Sequence, residues 1–508
     1  MARRFPFRWL MITAGLATLA GLGGRGLPAL RPATAQDAAR TLTVQTTAEP
    51  PGLDLTATPA SATAAVVFYN VQEALVKVDQ HGRLVPWLAE RWQATDSLHY
   101  TFALKRGVRF HTGRELTAED VKFVLERARN PETRHPHARQ YEDIAAIEVR
   151  DPHTLAVTLK RPNAMFLYTL ARQGSVIYPR EAVDRLKSQP VGTGPFVLER
   201  WDRGDRIVLR RNPDYHVPGL PRLDRVTFRF IPDANAALAA LQAGDIDVLA
   251  FGLAPESVEV VRRTPGLQLI EGETTNDVIL ALNNSRKPYT DVRVRRALTH
   301  AIDKAEVVQA AMFGLGRVLG SNIDPLNPYF VDMSKAVPFD PARARQLLAE
   351  AGYPRGFDAV LKVTPQYPYT VRTGEVVAGQ LAKVGVRVRL QQVEWGQWLD
   401  RVYKNADYDM TIIGHAEAWD AGNYANPQYY FRYDSPRFQA VFKESETTLD
   451  EGRRRELYAE LQRIMAEEAP VVWLYVFPRL VAAKRGVLGI WKDLPAPSMD
   501  LSEVSWAK

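Results

Sequence analysis

The 508-residue chain has no cysteine, which removes disulfides, thiolate metal sites and cysteine nucleophiles together. It also lacks the patterns on which exported hydrolases depend. Neither a G-x-S-x-G nucleophile elbow nor an H-E-x-x-H zinc helix occurs. No fixed-period repeat and no low-complexity tract is present. The one dinucleotide-like string, GLGGRG from Gly21, follows no strand and is a coincidence of letters. A formal charge of +7 first suggests a nucleic-acid partner. Five of those charges are Arg3, Arg4, Arg8, Arg25 and Arg31 in the first 35 residues, which hold no acid, so the rest carries +2. The remaining basic clusters, such as Arg293, Arg295 and Arg296, fall on predicted amphipathic helices as solvated faces. No nucleic acid and no cofactor is expected.

The amino-terminal residues read as an address. Three arginines precede sixteen uncharged residues, Trp9 to Gly24, and Ala33-Thr34-Ala35 offers a small-x-small cleavage site. The apolar run is short against the ~20 residues of a membrane span, so residues 1–35 are expected to be an export signal. Arg3-Arg4 fits a twin-arginine signal while Pro6 does not, which leaves that route and general secretion both open. Without cysteine there is no lipobox. A periplasmic protein is expected.

The remaining 473 residues exceed one core and predict two or more lobes. Strands and helices alternate. Thr41 to Gln45 reads as a strand, and the apolar stretch Ala62 to Leu75 as a helix. Asp233 caps a helix that Gly244 stops before a strand at Ile246 to Leu249. Asp340-Pro341 starts another, which Gly352 ends. Val371 to Val384 is helical and VRVRLQQV a strand. Leu457, Leu461, Ile464 and Met465 line a late helix, and Val471 to Phe477 is a buried strand. The class is mixed α/β.

One stretch is more specific. In WLAERWQATDSLHYTFALKRGVRFHTGRELTAEDVKFVLERA, Trp87 to Ala128, residues Tyr100, Phe102 and Leu104 alternate onto one strand face. A turn at Arg106-Gly107 follows, and Thr117 with Asp120 forms a capping pair for a helix striped by Val121, Val124, Leu125 and Ala128. This string resembles the signature of family 5 extracellular solute-binding proteins, the peptide- and nickel-type receptors of ABC importers. Val191 to His216 (VGTGPFVLERWDRGDRIVLRRNPDYH), Ala240 to Val248 (ALQAGDIDV), Pro288 to Lys304 (PYTDVRVRRALTHAIDK) and AGYPRGF at Ala351 resemble further segments of that family, in its order. Glycines for tight turns and Asn-Pro for a turn identify scaffold more than ligand.

The resemblance implies a two-lobed periplasmic binding protein fold, class II, hinged, with an enlarged lobe I. Lobe I would take residues 36–275 and 476–508, with an extra subdomain at about 60–190, and lobe II residues 276–475. Ligand would sit between lobes that close around it, and a permease in the inner membrane would receive it. The expected solute is a peptide, a modified amino acid or a sugar derivative, and the receptor a monomer.

Site residues follow from the same resemblance. Peptide-binding members carry an Asp four residues before a Pro in the loop matching Gly414 to Phe431. Counted from Pro427 that place is Asn423, which lacks the charge. Asp420 and Glu417 are nearby carboxylates. Dipeptide-type members set an Arg before Pro-Tyr, where Tyr367 stands here ahead of Pro368-Tyr369, and Arg372 is the nearest cation. Trp395 matches a tryptophan bordering the pocket, and with Trp419, Tyr424, Tyr367 and Tyr369 it offers flat stacking walls. Thr46, Thr47 and Glu49 sit where lobe I would meet ligand. Trp398 and Tyr430 read as core. Among nine histidines only His415 falls near the expected cleft, and a lone histidine is ordinarily structural, so no metal is expected. A receptor for a metal chelate or haem is the alternative, and an exported hydrolase a more distant one.

Overall fold

The computed structural model describes residues 40–415 and 420–507. The expected signal lies outside those residues. A single eleven-stranded mixed sheet runs through the protein, and two long antiparallel strands, Leu267–Leu282 and Val471–Lys484, form its middle. At one end they adjoin the strands Val248–Leu249, Thr41–Thr46 and Arg225–Phe230. At the other they adjoin Met410–His415, Asp358–Val363 and Arg387–Gln392. The expected strand at Val471 to Phe477 is therefore longer than its apolar run suggested.

Pairing of the two crossing strands breaks midway. Glu273 lies opposite Pro478 and Asp277 opposite Val476, so Thr274, Thr275 and Asn276 face the single residue Phe477. Pro478 has no N–H to give the ladder, and the extra residues bulge out. On one side of this break a core draws on residues between Leu42 and Ala250 and between Val481 and Val504. On the other side two cores draw on residues between Val278 and Val476. The molecule is a two-lobed α/β fold whose lobes share one sheet.

The first half carries a four-stranded antiparallel sheet that includes His99–Leu104. Tyr100, Phe102 and Leu104 are buried together against helix Ala118–Arg129. The Asp120 carboxylate accepts from the Thr117 N–H at 3.0 Å and from Arg114 at 2.6 Å. The helix expected over Ala62 to Leu75 is corrected: it ends at Val67, and Tyr69 takes φ +70°. Val66 to Val76 is buried on every face, so apolar content there carried no helical period.

That non-helical segment is where the scaffold strings converge. Gly194 N–H donates to the Val71 carbonyl at 3.1 Å, and a Cβ on Gly192 would stand 2.2 Å from the same oxygen. The fully buried Glu73 carboxylate accepts from Thr193 at 2.6 Å and Tyr215 at 2.9 Å and meets His216 Nε2 at 3.0 Å. Burial alone would raise its pKa, but His216 and the two hydroxyls outweigh that and hold it below the usual carboxylate value. A carboxyl depressed in the folded state contributes stability above its unfolded pKa of ~4.3, and loses it as pH falls through the folded value.

Two predictions follow from this knot. Glu73→Gln breaks a buried pair and lowers unfolding free energy at pH 7 by about 3–5 kcal/mol. Denaturant titrations between pH 7 and 3 will show the gap to the unmodified protein narrowing at the acid end. Gly192→Ala pushes a methyl into backbone and costs about 1–3 kcal/mol, read as a lower melting temperature.

Candidate functional site

The bulge makes the floor of a cleft. Thr274, Thr275 and Asn276 line a cavity of about 460 Å³, within the ~300–1,000 Å³ of small-molecule sites. Its walls come from both halves: Ser61, Tyr168, Arg172 and Gln173 from one, and Asp324, Leu326 and Asn327 from the other, with Leu494 to Pro497 closing one side. A second cavity of about 490 Å³, lined by His111, Arg185 and Trp201 among others, lies wholly in the first half. A solute there would touch one lobe only and could not couple to closure.

None of the expected site residues that the structure describes lines the 460 Å³ cavity. Several adjoin it through Asn276. A Cβ on Gly414 would stand 2.9 Å from the Tyr369 hydroxyl and 3.0 Å from Asn276 Oδ1, so cavity floor and aromatic residues meet there. From that point an aromatic ladder runs over the second half. Phe477 meets Tyr369 edge-on at 4.6 Å, Tyr369 lies 6.1 Å from Tyr367, Tyr367 meets Trp395 edge-on at 5.2 Å, and Trp395 stacks on Trp398 at 5.0 Å. Tyr369 accepts the Gly414 N–H at 2.9 Å. Tyr367 is 39% exposed and Trp395 half-buried. Trp398 and Tyr430 are core residues, as their positions suggested.

The other expected residues scatter. Arg372 pairs with Glu256 of the first half at 3.5 Å. Thr46 is buried and Thr47 exposed, while Glu49 accepts from Trp201 and Gly204 on a neighbouring hairpin. Asn423 is half-buried on the short helix Ala421–Ala425. Tyr424 is corrected from ligand wall to packing: it is fully buried, stacked on Phe431 at 5.0 Å and tilted against Trp473 at 6.1 Å. Glu417 and Trp419 lie outside the described residues.

His415 is not the isolated histidine its sequence position suggested. It lies in register opposite Asp277 on the crossing strand, and Asp420 Oδ2 is 3.8 Å from its Nδ1. All three are buried. The Asp420 carboxylate accepts from Asn322 at 2.9 Å. Burial, reinforced by Asp420, pushes the Asp277 carboxyl well above its usual range, with His415 pulling the other way. Asp324, on the cavity wall, is raised to about 7, chiefly by burial. Sequence reasoning missed this floor. Its one legible trace is the polar insert EGETTND between the apolar ends LQLI and VILAL of one strand.

Comparison with known proteins accords with this architecture. Residues 83–436 match the profile of bacterial extracellular solute-binding proteins, family 5. The chain is 29% identical over 460 residues to a di/tripeptide-binding protein 1 of Pseudomonas aeruginosa, covering 82% of this chain and 84% of that one. It is 30% identical over 434 residues to heme-binding protein A of Haemophilus influenzae, covering 77% and 78%. The solved structure of the binding protein AgaA from A. tumefaciens R10 with agropinic acid superposes with a TM-score of 0.74 at 27% identity, covering 92% of this chain and 99% of that one.

The raised Asp324 has a measurable consequence. A carboxyl that holds its proton in the folded state and releases it near pH ~3.9 when unfolded makes the native state less stable as pH rises from ~4 towards 7. Asp324→Asn removes that loss. In metal-free buffer the variant will be more stable than the unmodified protein at pH 8, by roughly 4 kcal/mol at most, and equal to it at pH 4, as read by chemical denaturation.

Proposed function

The chain belongs to the family 5 bacterial extracellular solute-binding proteins, and from that premise we propose that it is the periplasmic receptor of an ABC importer. It works as a monomer, encloses a peptide-like or N-modified amino-acid solute, and passes it to an inner-membrane permease. Residues 36–275 with 476–508 form its first lobe, with the extra subdomain at about 60–190, and residues 276–475 its second. The signal at residues 1–35 directs export.

The observation that carries this reading is the cavity drawn from both halves over a floor of bulged strand. A solute bridging such walls stabilises the closed arrangement, which is the state a permease can distinguish. Arg372 would take a carboxylate. Its pair with Glu256 is partly exposed and contributes only ~0–1 kcal/mol, so a ligand carboxylate replaces it at small cost. Trp395 and Tyr367 would stack on the body of the solute, and Asn423 would accept from its nitrogen without supplying a charge. That uncharged acceptor favours substituted amines over free ammonium groups, which is why opine-like compounds belong in the ligand panel beside peptides, glutathione and haem. Relatives that are binding proteins of transporters support a role without turnover.

Thermal shift and calorimetry against that panel test the reading. At least one solute will raise the melting temperature without being chemically altered. Trp395→Ala will weaken it about tenfold, ~1.4 kcal/mol, and Asn423→Ala several-fold, while the surface change Arg343→Ala leaves it unchanged. Arg372→Ala will erase the preference for a free carboxylate over its amide, a difference of ~1.5–3 kcal/mol for a charged hydrogen bond. Unaltered affinity in Trp395→Ala, Asn423→Ala and Arg372→Ala alike would remove the site, and turnover of a panel member would remove the receptor.

A further inference from the structure

We propose that Asp277, His415 and Asp420 hold one divalent transition-metal ion beside the cleft floor, a site separate from the solute pocket and independent of which solute is carried. One ligand atom from each of the three residues lies within 4.8 Å of the other two. The arrangement is built by the sheet. Asp277 and His415 are direct partners in neighbouring antiparallel strands, so their side chains leave the same face about 5 Å apart. Asp420 stands five positions after His415, immediately before the helix Ala421–Ala425. Each of the three is 5% exposed.

The orientation of each group suits coordination. His415 Nε2 is fixed by the Tyr430 hydroxyl at 2.9 Å, and the ring thereby turns Nδ1 towards Asp420 Oδ2 at 3.8 Å. That separation is long for a hydrogen bond and close to the ~3.4 Å between two ligands that share an ion at ~2.1 Å in tetrahedral geometry. Asn322 donates to the other Asp420 oxygen at 2.9 Å, leaving Oδ2 as the inward atom. Outer partners of this kind aim metal ligands in known sites.

Two further atoms point to an occupant. Asp277 Oδ2 and Asn322 Oδ1 are buried acceptors with no hydrogen-bond donor among the described residues. Their residues are 5% and 8% exposed. A buried carboxylate oxygen without a donor is unfavourable by several kcal/mol unless a cation or proton meets it. Two carboxylates balance a divalent charge, and the imidazole selects borderline ions such as zinc, nickel or cobalt over calcium, which takes six to eight oxygens. Joined to such an ion, the crossing strand, its neighbour and the start of the Ala421–Ala425 helix would move as one piece when the lobes close.

The full protein stripped with chelator and titrated with cobalt(II) chloride provides the test. We expect visible ligand-field bands that saturate at one equivalent, and affinity at least tenfold weaker in both Asp277→Asn and His415→Gln. Absence of bands up to millimolar cobalt, or affinity in both variants equal to that of the unmodified protein, overturns the site. Should either variant fail to fold, the unmodified protein decides alone: zinc must displace cobalt stoichiometrically while millimolar calcium does not. X-ray absorption must also report one imidazole among oxygen ligands, and two or more imidazoles would overturn the assignment. Solute binding measured in chelator reports on the receptor reading separately, so either proposal can fail while the other stands.

Discussion

The break in pairing between strands Leu267–Leu282 and Val471–Lys484 is the constraint on which the rest depends. A sheet continuous through two lobes would ordinarily make them one rigid body, because each ladder bond lost is a buried polar group unmet. Here the main disruption lies at Thr274–Asn276 and Phe477–Pro478, with a one-residue register shift following between Val278 and Ile279; Pro478 lacks the donor and Thr274 bonds the Phe477 carbonyl through its side chain at 2.8 Å. Bending at this place leaves the paired segments on either side intact. The same three residues that relax the strand also present polar groups to the cavity, so hinge and floor are one structural event.

A second principle concerns where charge is buried. Around Glu73 every acceptor is met from two distant segments, Thr193 and the Tyr215-His216 pair, and the result is a closed knot. Around Asp277 the carboxylates face one another, and the proton affinities of Asp277 and Asp324 rise. The first arrangement fixes a subdomain. The second gathers carboxyls that hold their protons beside a cleft, and perturbed groups of this kind are characteristic of places that meet a ligand.

Legibility in the sequence follows the range of the interactions. Thr117 with Asp120, Asp233 with Gly244, and Asp340 with Pro341 fix helix ends by contacts within a few residues, and each appears where expected. The stretch Ala62 to Leu75 was misread because burial on all sides erases period. The cavity escaped for a different reason. Its residues come from segments hundreds of positions apart, and Thr274, Asp324 and Asn327 carry no local sign of convergence. Likewise His415 looked solitary because its partner Asp277 is set by strand register, a non-local property that no spacing in the chain expresses.

Closure must be reversible if a captured solute is to be handed on. The contacts between the halves among the described residues suit that need: partly exposed ion pairs from Arg372 to Glu256 and from Arg317 to Glu273, a backbone bond from Ala164 to Glu446 at 2.8 Å, and a long bond from Arg454 to the Ala164 carbonyl at 3.5 Å. Contacts of this kind are worth ~0–1.5 kcal/mol each. Micromolar capture corresponds to ~8 kcal/mol, several times any one of these contacts. The balance between open and closed is therefore left to the solute, and a receptor whose lobes adhered strongly by themselves would signal to its permease while empty.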